Sequence, residues 1–300
     1  YMNHIVIEKK YKKYFKYYKF SIIIDDIISL LELSLYLYID YIKDNALYMY
    51  ETEFHNNIKK EVIELINIQI NDMDIKIIEN DMKYLIRITE YIIFSYIIPR
   101  RSYKDNKIIN NNKNKNYDKI KIQIEILKNV EQPDQRTNEW YLFRHNVITA
   151  SNIWKAFISN STFEQLVIEK CMPLNIDKYN FINEESPMHW GQKYEPVSTQ
   201  YYEFKYKTIV DEFGCIKHKK YQFLAASPDG IVCNEESIYY GRMLEIKNIF
   251  NRKINGIPKV EYWIQMQIQM EVCDLDECDF LETRFLEYKN EDEFLNDYYV

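Results

Sequence analysis

Glycine, alanine and cysteine are scarce in this chain, which contains five of each among its 300 residues. The cysteines are odd in number and show no paired spacing, which argues against a disulfide scaffold and favours a reducing compartment. Cys273 and Cys278 have no histidine or second cysteine pair nearby in the sequence, so a zinc site is not expected. The shortage of glycine and alanine indicates an AT-rich coding bias.

Long apolar runs without charge are also absent. The most apolar stretch spans residues 20–42 and carries four carboxylates, those of Asp25, Asp26, Glu32 and Asp40. Four charges within about one bilayer span argue against a transmembrane helix. The beginning of the chain does not resemble a signal peptide, and it opens on Tyr1 rather than methionine, as a fragment would. We therefore expect an intracellular protein without a membrane partner.

The first hundred residues predict a helical region with the bounds 1–99. Apolar residues recur at helical spacing after Ser21, a predicted N-cap, and further helical runs cover residues 52–71 and 73–98 before Pro99. Residues 100–129 are interpreted as a basic linker rich in Asn and Lys. Chemistry does not explain these helices, so we expect an interaction or oligomerisation module.

Residues 130–300 predict one α/β domain. Short helices are expected over 135–146, after a cap at Thr149 or Ser151, and over 191–206. Strands are expected over 208–216, 223–232, 241–248 and 280–287, with a helix over 260–272 between the last two. This order predicts a central mixed sheet flanked by helices.

One group of residues in this domain points to chemistry. Asp229 lies in a Pro-Asp-Gly turn that interrupts a predicted strand, where a carboxylate is directed out of the sheet. Glu245 and Lys247 are two residues apart on a strand and share one face. Two carboxylates form a hard-oxygen site for Mg²⁺ or Mn²⁺, and a neighbouring lysine can hold a water molecule. Alone the pattern is weak, since a turn aspartate and an exposed salt pair look the same.

Neighbouring motifs extend this group. Glu195 lies on a predicted helix in the segment His189–Pro196, from which it can add a third acid to the site. Arg144 precedes a helix start that contains Ser151, a combination suited to binding phosphate. Tyr262 and Gln265 lie on adjacent turns of one helix face. The net charge of −7 does not exclude a nucleic acid, because a local basic surface provides the attraction.

Taken together, these motifs resemble a known family. The phrase Ile148-Thr-Ala-Ser151 after Arg144, Trp190-Gly-x-x-x-Glu-Pro196, Ser227-Pro-Asp-Gly230, Glu245-Ile-Lys247 and Tyr262-Trp-x-Gln-x-Gln267 occur in the order found in the phage lambda exonuclease group, or YqaJ-like viral recombinases. This group belongs to the PD-(D/E)xK nuclease superfamily. The resemblance implies a restriction-endonuclease-like core across residues 131–288, and the composition is similar to that of a large DNA virus.

The resemblance implies roles for the matching residues. Asp229, Glu245 and Glu195 would be acidic metal ligands, and the carbonyl of Ile246 would be a further ligand. Lys247 would orient the attacking water. The residues implied to contact DNA are Arg144, Ser151 and Ser227 at the 5′-phosphate, Trp140 on the strand, and Tyr262 and Gln265 beside the scissile phosphate. A core position for Trp140, a turn-stabilising role for Ser227 and a packing role for the helix pair stay open as alternatives.

The implied reaction is Mg²⁺-dependent 5′→3′ degradation of one strand of duplex DNA, with Mn²⁺ as substitute. It would serve viral recombination or genome processing in the host cytoplasm or nucleus. Double-stranded DNA is the expected partner, and a single-strand annealing protein and a homo-oligomer are further hypotheses. An endonuclease of the same superfamily and an inactive DNA-binding or scaffolding protein are the alternatives.

Overall fold

The computed structural model describes residues 20–73, 76–98, 117–131, 133–135, 137–175 and 186–297. The chain divides into two compact units, Tyr1–Lys113 and Asn114–Val300. The predicted linker residues 100–116 and Pro99 lie outside the described residues.

The described part of the first unit contains helices α1 (Ile24–Asp44), α2 (Phe54–Met73) and α3 (Glu79–Ile92). A 3₁₀ turn spans Ala46–Tyr48, and a π-helical turn continues α3 through Ile93–Ile97. In α2 the buried apolar residues recur every four positions, which places them on one face of the helix. They are Phe54, Ile58, Val62, Ile66 and Ile70. The predicted helical region is confirmed where it is described.

Ser21 does not cap the first helix, contrary to the prediction. Helix α1 begins at Ile24, with Ile23 in the N-cap position and no side-chain cap. The Ser21 backbone N–H instead donates to Asp81 Oδ2 at 2.9 Å. Asp81 is buried at the start of α3. A tertiary contact therefore uses the serine that local sequence assigned to a cap.

Part of the predicted linker is helical. Helix α4 (Tyr117–Lys128) belongs to the second unit, and its Ile124 and Leu127 are buried. Gln123 Nε2 donates to the Cys273 carbonyl at 2.7 Å. The linker prediction is therefore wrong over residues 117–128, because two apolar side chains and one amide bind this basic segment to the core.

The next segment holds α5 (Asn138–His145), β1 (Ile148–Thr149), α6 (Lys155–Ile158) and α7 (Asn160–Cys171). Thr137 caps α5 by accepting from the Trp140 N–H at 3.2 Å. Neither Thr149 nor Ser151 caps a helix, contrary to the prediction, because Thr149 pairs in β1 and Ser151 lies in the turn after it. The N-cap of α6 is Trp154.

Helix α8 (Pro187–Tyr206) starts four residues before the predicted bound. Its N-cap Ser186 accepts from the His189 N–H at 3.1 Å, and Pro187 occupies the first turn. Proline is favoured there because its missing N–H needs no partner. The helix thus includes the whole segment that carries Glu195.

Six further strands follow: β2 (Val210–Asp211), β3 (Ile216–Lys217), β4 (Leu224–Ala226), β5 (Gly230–Val232), β6 (Met243–Asn248) and β7 (Cys278–Thr283). They form two mixed sheets, with the strand orders β1-β4-β3 and β2-β5-β6-β7. The single strand predicted over 208–216 is wrong, since β2 and β3 lie in different sheets. The break predicted at the Ser-Pro-Asp-Gly turn separates β4 from β5 and so joins the two sheets.

Helices α9 (Val260–Cys273) and α10 (Glu291–Asp297) complete the described chain. One face of α9 packs on the sheets through Val272 and Cys273, which share a buried cluster with Ala226, Ile231 and Met243. The predicted fold class, α/β with a mixed sheet and flanking helices after a helical N-terminal region, is confirmed, except that the strands form two mixed sheets instead of one central sheet.

Candidate active site

Strand β6 presents two chemically different faces. Leu244 and Ile246 pack in a buried cluster with Tyr202 of α8. Glu245 and Lys247 point to the opposite face, toward α9. The prediction that these two side chains share one face is confirmed by their contact, a hydrogen-bonded ion pair between Lys247 Nζ and Glu245 Oε1.

Glu245 is fully buried, and both of its carboxylate oxygens are bound by protein donors. Oε1 accepts from Lys247 Nζ and from Gln265 Nε2, the latter at 2.7 Å. Oε2 accepts from Gln269 Nε2 at 2.6 Å. A buried carboxylate is very unfavourable unless it is paired and hydrogen-bonded, and these three donors meet that requirement.

Asp229 lies immediately before β5, beside β6. Strands β5 and β6 are antiparallel, with Gly230 opposite Leu244. The Ile246 N–H donates to Asp229 Oδ2 at 2.6 Å. The Asp229 carboxylate thus accepts a hydrogen bond from β6 where a backbone carbonyl next to β5 would otherwise accept it. Gly230 is required here because a Cβ atom would lie 2.1 Å from a methyl group of Val210 on β2.

Negative charge is concentrated around Asp229. Burial and the neighbouring Glu245 carboxylate raise the pKa of Asp229 well above its usual value, and Glu195 adds to this effect. Lys247 opposes it. Asp229 therefore interacts electrostatically with the three other charged residues predicted for the site, Glu195, Glu245 and Lys247.

Lys247 is a stable ammonium ion in this environment. Burial lowers its pKa, but the carboxylates of Glu245 and Asp229 outweigh that effect and leave the pKa raised. The Nζ atom also lies 5.2 Å from the ring centre of Tyr262. A charged lysine donates hydrogen bonds and stabilises negative charge, and it does not accept a proton.

A cleft of about 480 Å³ opens beside these residues. Helix α8 forms one wall, held to β6 by two hydrogen bonds of 2.6 Å, from Asn248 Nδ2 to the Gly191 carbonyl and from Ser198 Oγ to Asn248 Oδ1. The lining combines carboxylates with cations and an aromatic ring. Among the lining residues are Glu195, Asp229, Ile246, Lys247, Arg252, Lys259 and Tyr262.

The structure thus brings the predicted carboxylates and Lys247 close together, but not all of them line the cleft. Glu195, Asp229 and Lys247 line the cleft, whereas Glu245 lies beneath it and contacts it through Lys247. Within the described ranges, no group of three His, Cys, Asp or Glu side chains has the arrangement of a metal site. Protein donors hold the carboxylates of Asp229 and Glu245 instead.

Tyr262 and Gln265 of α9 differ in whether they reach the cleft. Tyr262 lines the cleft, and Gln265 is buried against Glu245. Sequence reasoning missed Gln269, which is fully buried and also binds Glu245. A signal for it was present, because Gln269 is four residues after Gln265 and residues at that spacing lie on the same helix face.

The predicted phosphate-binding residues are not among those that line this cleft, and they lie at and around the β1-β4 pair. The Arg144 guanidinium stacks over the ring of Trp140, with 4.8 Å from its central carbon to the ring centre. Trp140 is half-buried, so it is neither a core residue nor fully exposed. Lys170 Nζ donates to the Arg144 carbonyl at 2.9 Å, which places a second cation beside it.

Ser151 and Ser227 follow two parallel strands. Strands β1 and β4 pair with Ile148 opposite Leu224, and both serines come two residues after the paired segment. Parallel strands end at the same edge of a sheet, so Ser151 and Ser227 lie at one edge. The Ser227 carbonyl also accepts from Gln269 Nε2 at 3.3 Å, which links this edge to Glu245.

Part of the chain is similar to a known protein family. Residues 139–276 match the YqaJ-like viral recombinase domain. The predicted resemblance is therefore confirmed. The YqaJ-like segment contains every site residue discussed above, from Trp140 to Gln269, and it excludes the helical first unit.

A viral relative extends the YqaJ-like match. The chain is 31% identical over 217 residues to protein R354 of Acanthamoeba polyphaga mimivirus. This alignment covers 66% of the chain and 36% of the mimivirus protein, so the chain spans about a third of that relative's length. The predicted similarity to proteins of a large DNA virus is in agreement with it.

Two solved structures were also found similar, both of an alkaline exonuclease from Laribacter hongkongensis. The first shares 27% identity and covers 49% of this chain and 74% of the exonuclease, with a TM-score of 0.39. The complex of that enzyme with dAMP shares 26% identity and covers 52% and 78%, with the same TM-score.

No helix in the described part of the chain is sufficiently long and apolar to span a bilayer.

Proposed function

We propose that the YqaJ-like domain is a metal-dependent DNA exonuclease that hydrolyses phosphodiester bonds from duplex ends in the 5′→3′ direction. The single observation that carries this proposal is the group formed by Asp229, Glu245 and Lys247 with Glu195 at one cleft. Phosphodiester hydrolysis needs charge neutralisation at the phosphate and an oriented water, and this group contains side chains for both.

The chemistry of the donors suits a hard divalent cation, although the three carboxylates of the described structure are not arranged as a metal site. Carboxylate and carbonyl oxygens are the ligands that Mg²⁺ and Mn²⁺ prefer. Asp229, Glu195, Glu245 and the carbonyl of Ile246 would hold the ion. The Ile246 carbonyl supports this, because the N–H and C=O of one strand residue point to the same edge and its N–H binds Asp229. When bound, Mg²⁺ supplies positive charge and lowers the pKa of water.

Lys247 then has a defined task within the proposal. Its ammonium group lines the cleft and is held in place by Glu245 and the ring of Tyr262. From there it donates a hydrogen bond to the attacking water and positions that water against the phosphate. In this role Lys247 acts by orientation and charge.

Cations at the cleft entrance suit a nucleic-acid backbone. Arg252 and Lys259 line the cleft together with Tyr262, and both lie within 6 Å of its ring centre. Arg252 also pairs with Glu282, so part of its charge is already balanced. Phosphate contacts by such side chains provide sequence-independent affinity that weakens with salt.

The proposed polarity rests on a second group. Arg144, Ser151 and Ser227 would bind the terminal 5′-phosphate, with Trp140 against the strand. Arg144 is stacked on Trp140 and has Lys170 beside it, and the two serines share one sheet edge. A phosphate held there would direct the chain end toward the cleft through the turn that carries Asp229. An annealing protein and a homo-oligomer stay predictions.

The test is digestion of three DNA substrates by the full chain with Mg²⁺ or with EDTA. The substrates are a linear duplex with 5′-phosphates, the same duplex with 5′-hydroxyls, and a covalently closed circle. We expect release of mononucleotides from the phosphorylated duplex, weaker release from the hydroxyl duplex and none from the circle. Lys247→Ala should abolish the release. Lys119→Ala, which removes an exposed ion pair with Asp274, serves as the matched control.

Each alternative function predicts a different outcome in this experiment. Cleavage of the closed circle would identify an endonuclease. Salt-sensitive DNA binding without turnover in Mg²⁺ or Mn²⁺ would identify an inactive DNA-binding protein. Equal digestion by the wild type and by Lys247→Ala would overturn the proposed active site.

A further inference from the structure

We propose that Gln269 is a positioning residue that sets the orientation of the Glu245 carboxylate and its separation from the turn that carries Asp229. This inference rests on the proposed function, because it assigns a task to Gln269 within that site. Gln269 lies in the second half of α9, away from the cleft lining. It would therefore act through Glu245 and the turn, without contact with DNA.

The geometry of Gln269 is that of a bridge. Its Nε2 group donates to Glu245 Oε2 at 2.6 Å and to the Ser227 carbonyl at 3.3 Å. Ser227 lies two residues before Asp229 in the turn between β4 and β5. One amide therefore contacts both the strand that carries Glu245 and the turn that carries Asp229.

The two glutamines of α9 act on different oxygens of the same carboxylate. Gln265 shares Oε1 with Lys247, whereas Gln269 is the donor to Oε2 in the described structure. Loss of Gln265 would leave Lys247 on Oε1. Loss of Gln269 would leave Oε2 without this donor, so the carboxylate plane could rotate. Gln269 thus controls an orientation that Lys247 alone does not.

The amide oxygen of Gln269 argues against a purely structural role for this residue. Gln269 is fully buried, and within the described residues its Oε1 atom has no hydrogen-bond partner. An unpaired buried amide oxygen is unfavourable, and an apolar side chain of the same size would avoid it. A glutamine at this position is therefore explained by its donor contacts.

The experiment compares Gln269→Met with the wild-type full chain. Methionine has a similar volume and removes both donor contacts. Mn²⁺ alone is titrated in the absence of DNA and followed by electron paramagnetic resonance of the free ion. The kcat and KM for a 5′-phosphorylated duplex and the Tm are measured in parallel. Gln165→Met, an exposed position on α7, is the matched control.

We expect roughly 10- to 100-fold weaker Mn²⁺ binding in Gln269→Met, the range typical when a residue supporting a metal ligand is removed. The kcat should fall by a similar factor with little change in KM, because the affected group does not bind the DNA strand. Gln165→Met should match the wild type. Gln269→Asn retains an amide but is one carbon shorter, and an intermediate loss is expected from it. It provides the same test if the methionine variant does not fold.

Unchanged Mn²⁺ affinity and kcat in both Gln269 variants, with or without a lower Tm, would overturn the inference. The proposed function would stand in that case, since the wild type would still digest DNA. If instead the wild type releases no nucleotides but Gln269→Met still weakens Mn²⁺ binding, the function fails and the positioning role is supported. The two failures are thus distinguishable.

Discussion

The helix α2 of the first unit and the strand β6 of the second unit bury their side chains in different ways. Helix α2 buries one apolar residue in every four, from Phe54 to Ile70, together with His55, and most of its other described side chains are exposed. Strand β6 buries consecutive residues, Leu244 and Glu245, on opposite faces. The helix requires only apolar spacing, whereas the strand requires donors from α9 for a buried charge. Apolar packing therefore explains the buried stripe of α2, while the polar face of β6 indicates chemistry.

The largest expected effect is on the polar face of β6. Replacing Glu245 by glutamine removes the anion that binds Lys247 and leaves a partly buried ammonium group with only the nearby Asp229. We expect the free energy of unfolding of the second unit to fall by about 4 kcal/mol. All four tryptophans lie after residue 139, so urea unfolding followed by tryptophan fluorescence measures this unit.

Glu235→Gln is the matched control for that substitution. Glu235 forms an exposed ion pair with Lys121, and such a pair contributes little to stability because solvent screens it. A loss in Glu245→Gln no greater than that in Glu235→Gln would remove the distinction between the two faces of β6.

The next effect concerns the apolar core of the first unit. Leu31 of α1 is fully buried, and Leu31→Ala should destabilise this unit by about 3 kcal/mol through lost burial and a cavity. Far-UV circular dichroism should show an earlier loss of helix, and the tryptophan transition should stay in place. Ile24→Ala on the same helix is the control, since Ile24 is 59% exposed. An equal shift of the tryptophan transition would contradict independent unfolding.

A smaller effect is expected at the proposed phosphate site. Arg144→Ala should reduce the preference for 5′-phosphate over 5′-hydroxyl ends by roughly 10- to 100-fold, because a charge-assisted hydrogen bond contributes about 1.5–3 kcal/mol. The ratio of initial rates on the two duplexes measures the preference. Arg87→Ala, an exposed arginine on α3, should leave the ratio unchanged. A ratio that is the same in Arg144→Ala and the wild type would exclude Arg144 from 5′-phosphate recognition.

The smallest expected effect is on thiol reactivity. Burial raises the pKa of Cys273 to about 12, so the thiol is protonated and shielded at pH 8, where only a thiolate reacts. Iodoacetamide should label the exposed Cys171 first and Cys273 only upon unfolding. All five cysteines lie in the second unit. Iodoacetamide should therefore label Cys273 at the wild-type rate in Leu31→Ala and at a faster rate in Glu245→Gln. Peptide mass spectrometry measures the labelling rate of Cys273 in both variants. Faster labelling in Leu31→Ala would show that unfolding of the first unit is coupled to unfolding of the second.

Local periodicity predicted the elements whose partners are local. The helical spacing in α2 and the two-residue spacing of Glu245 and Lys247 both correspond to the structure. Periodicity was misleading where a distant partner decides the outcome. Thr149 resembled a helix cap and instead pairs with Ala225 in a sheet. Helix α4 resembled a basic linker because only Ile124 and Leu127 of that helix are buried.

The features of the site also differ in whether local sequence could predict them. Its residue types and order were readable from the motifs, and the family match agrees with them. The contact of Gln269 with Glu245 was not readable, since it joins residues 24 positions apart on two different elements. Neither was the pairing of β1 with β4, which brings Ser151 and Ser227 to one sheet edge.

The sequence by itself therefore determined the helical first unit, the α/β class of the second and the chemical composition of the site, because side-chain period and residue type are local properties. Only the tertiary structure decided that Glu245 is buried beneath the cleft and held there by two glutamines and a lysine. The physical reason is that a carboxylate can be buried only where donors from other elements converge, and chain folding alone brings those donors together.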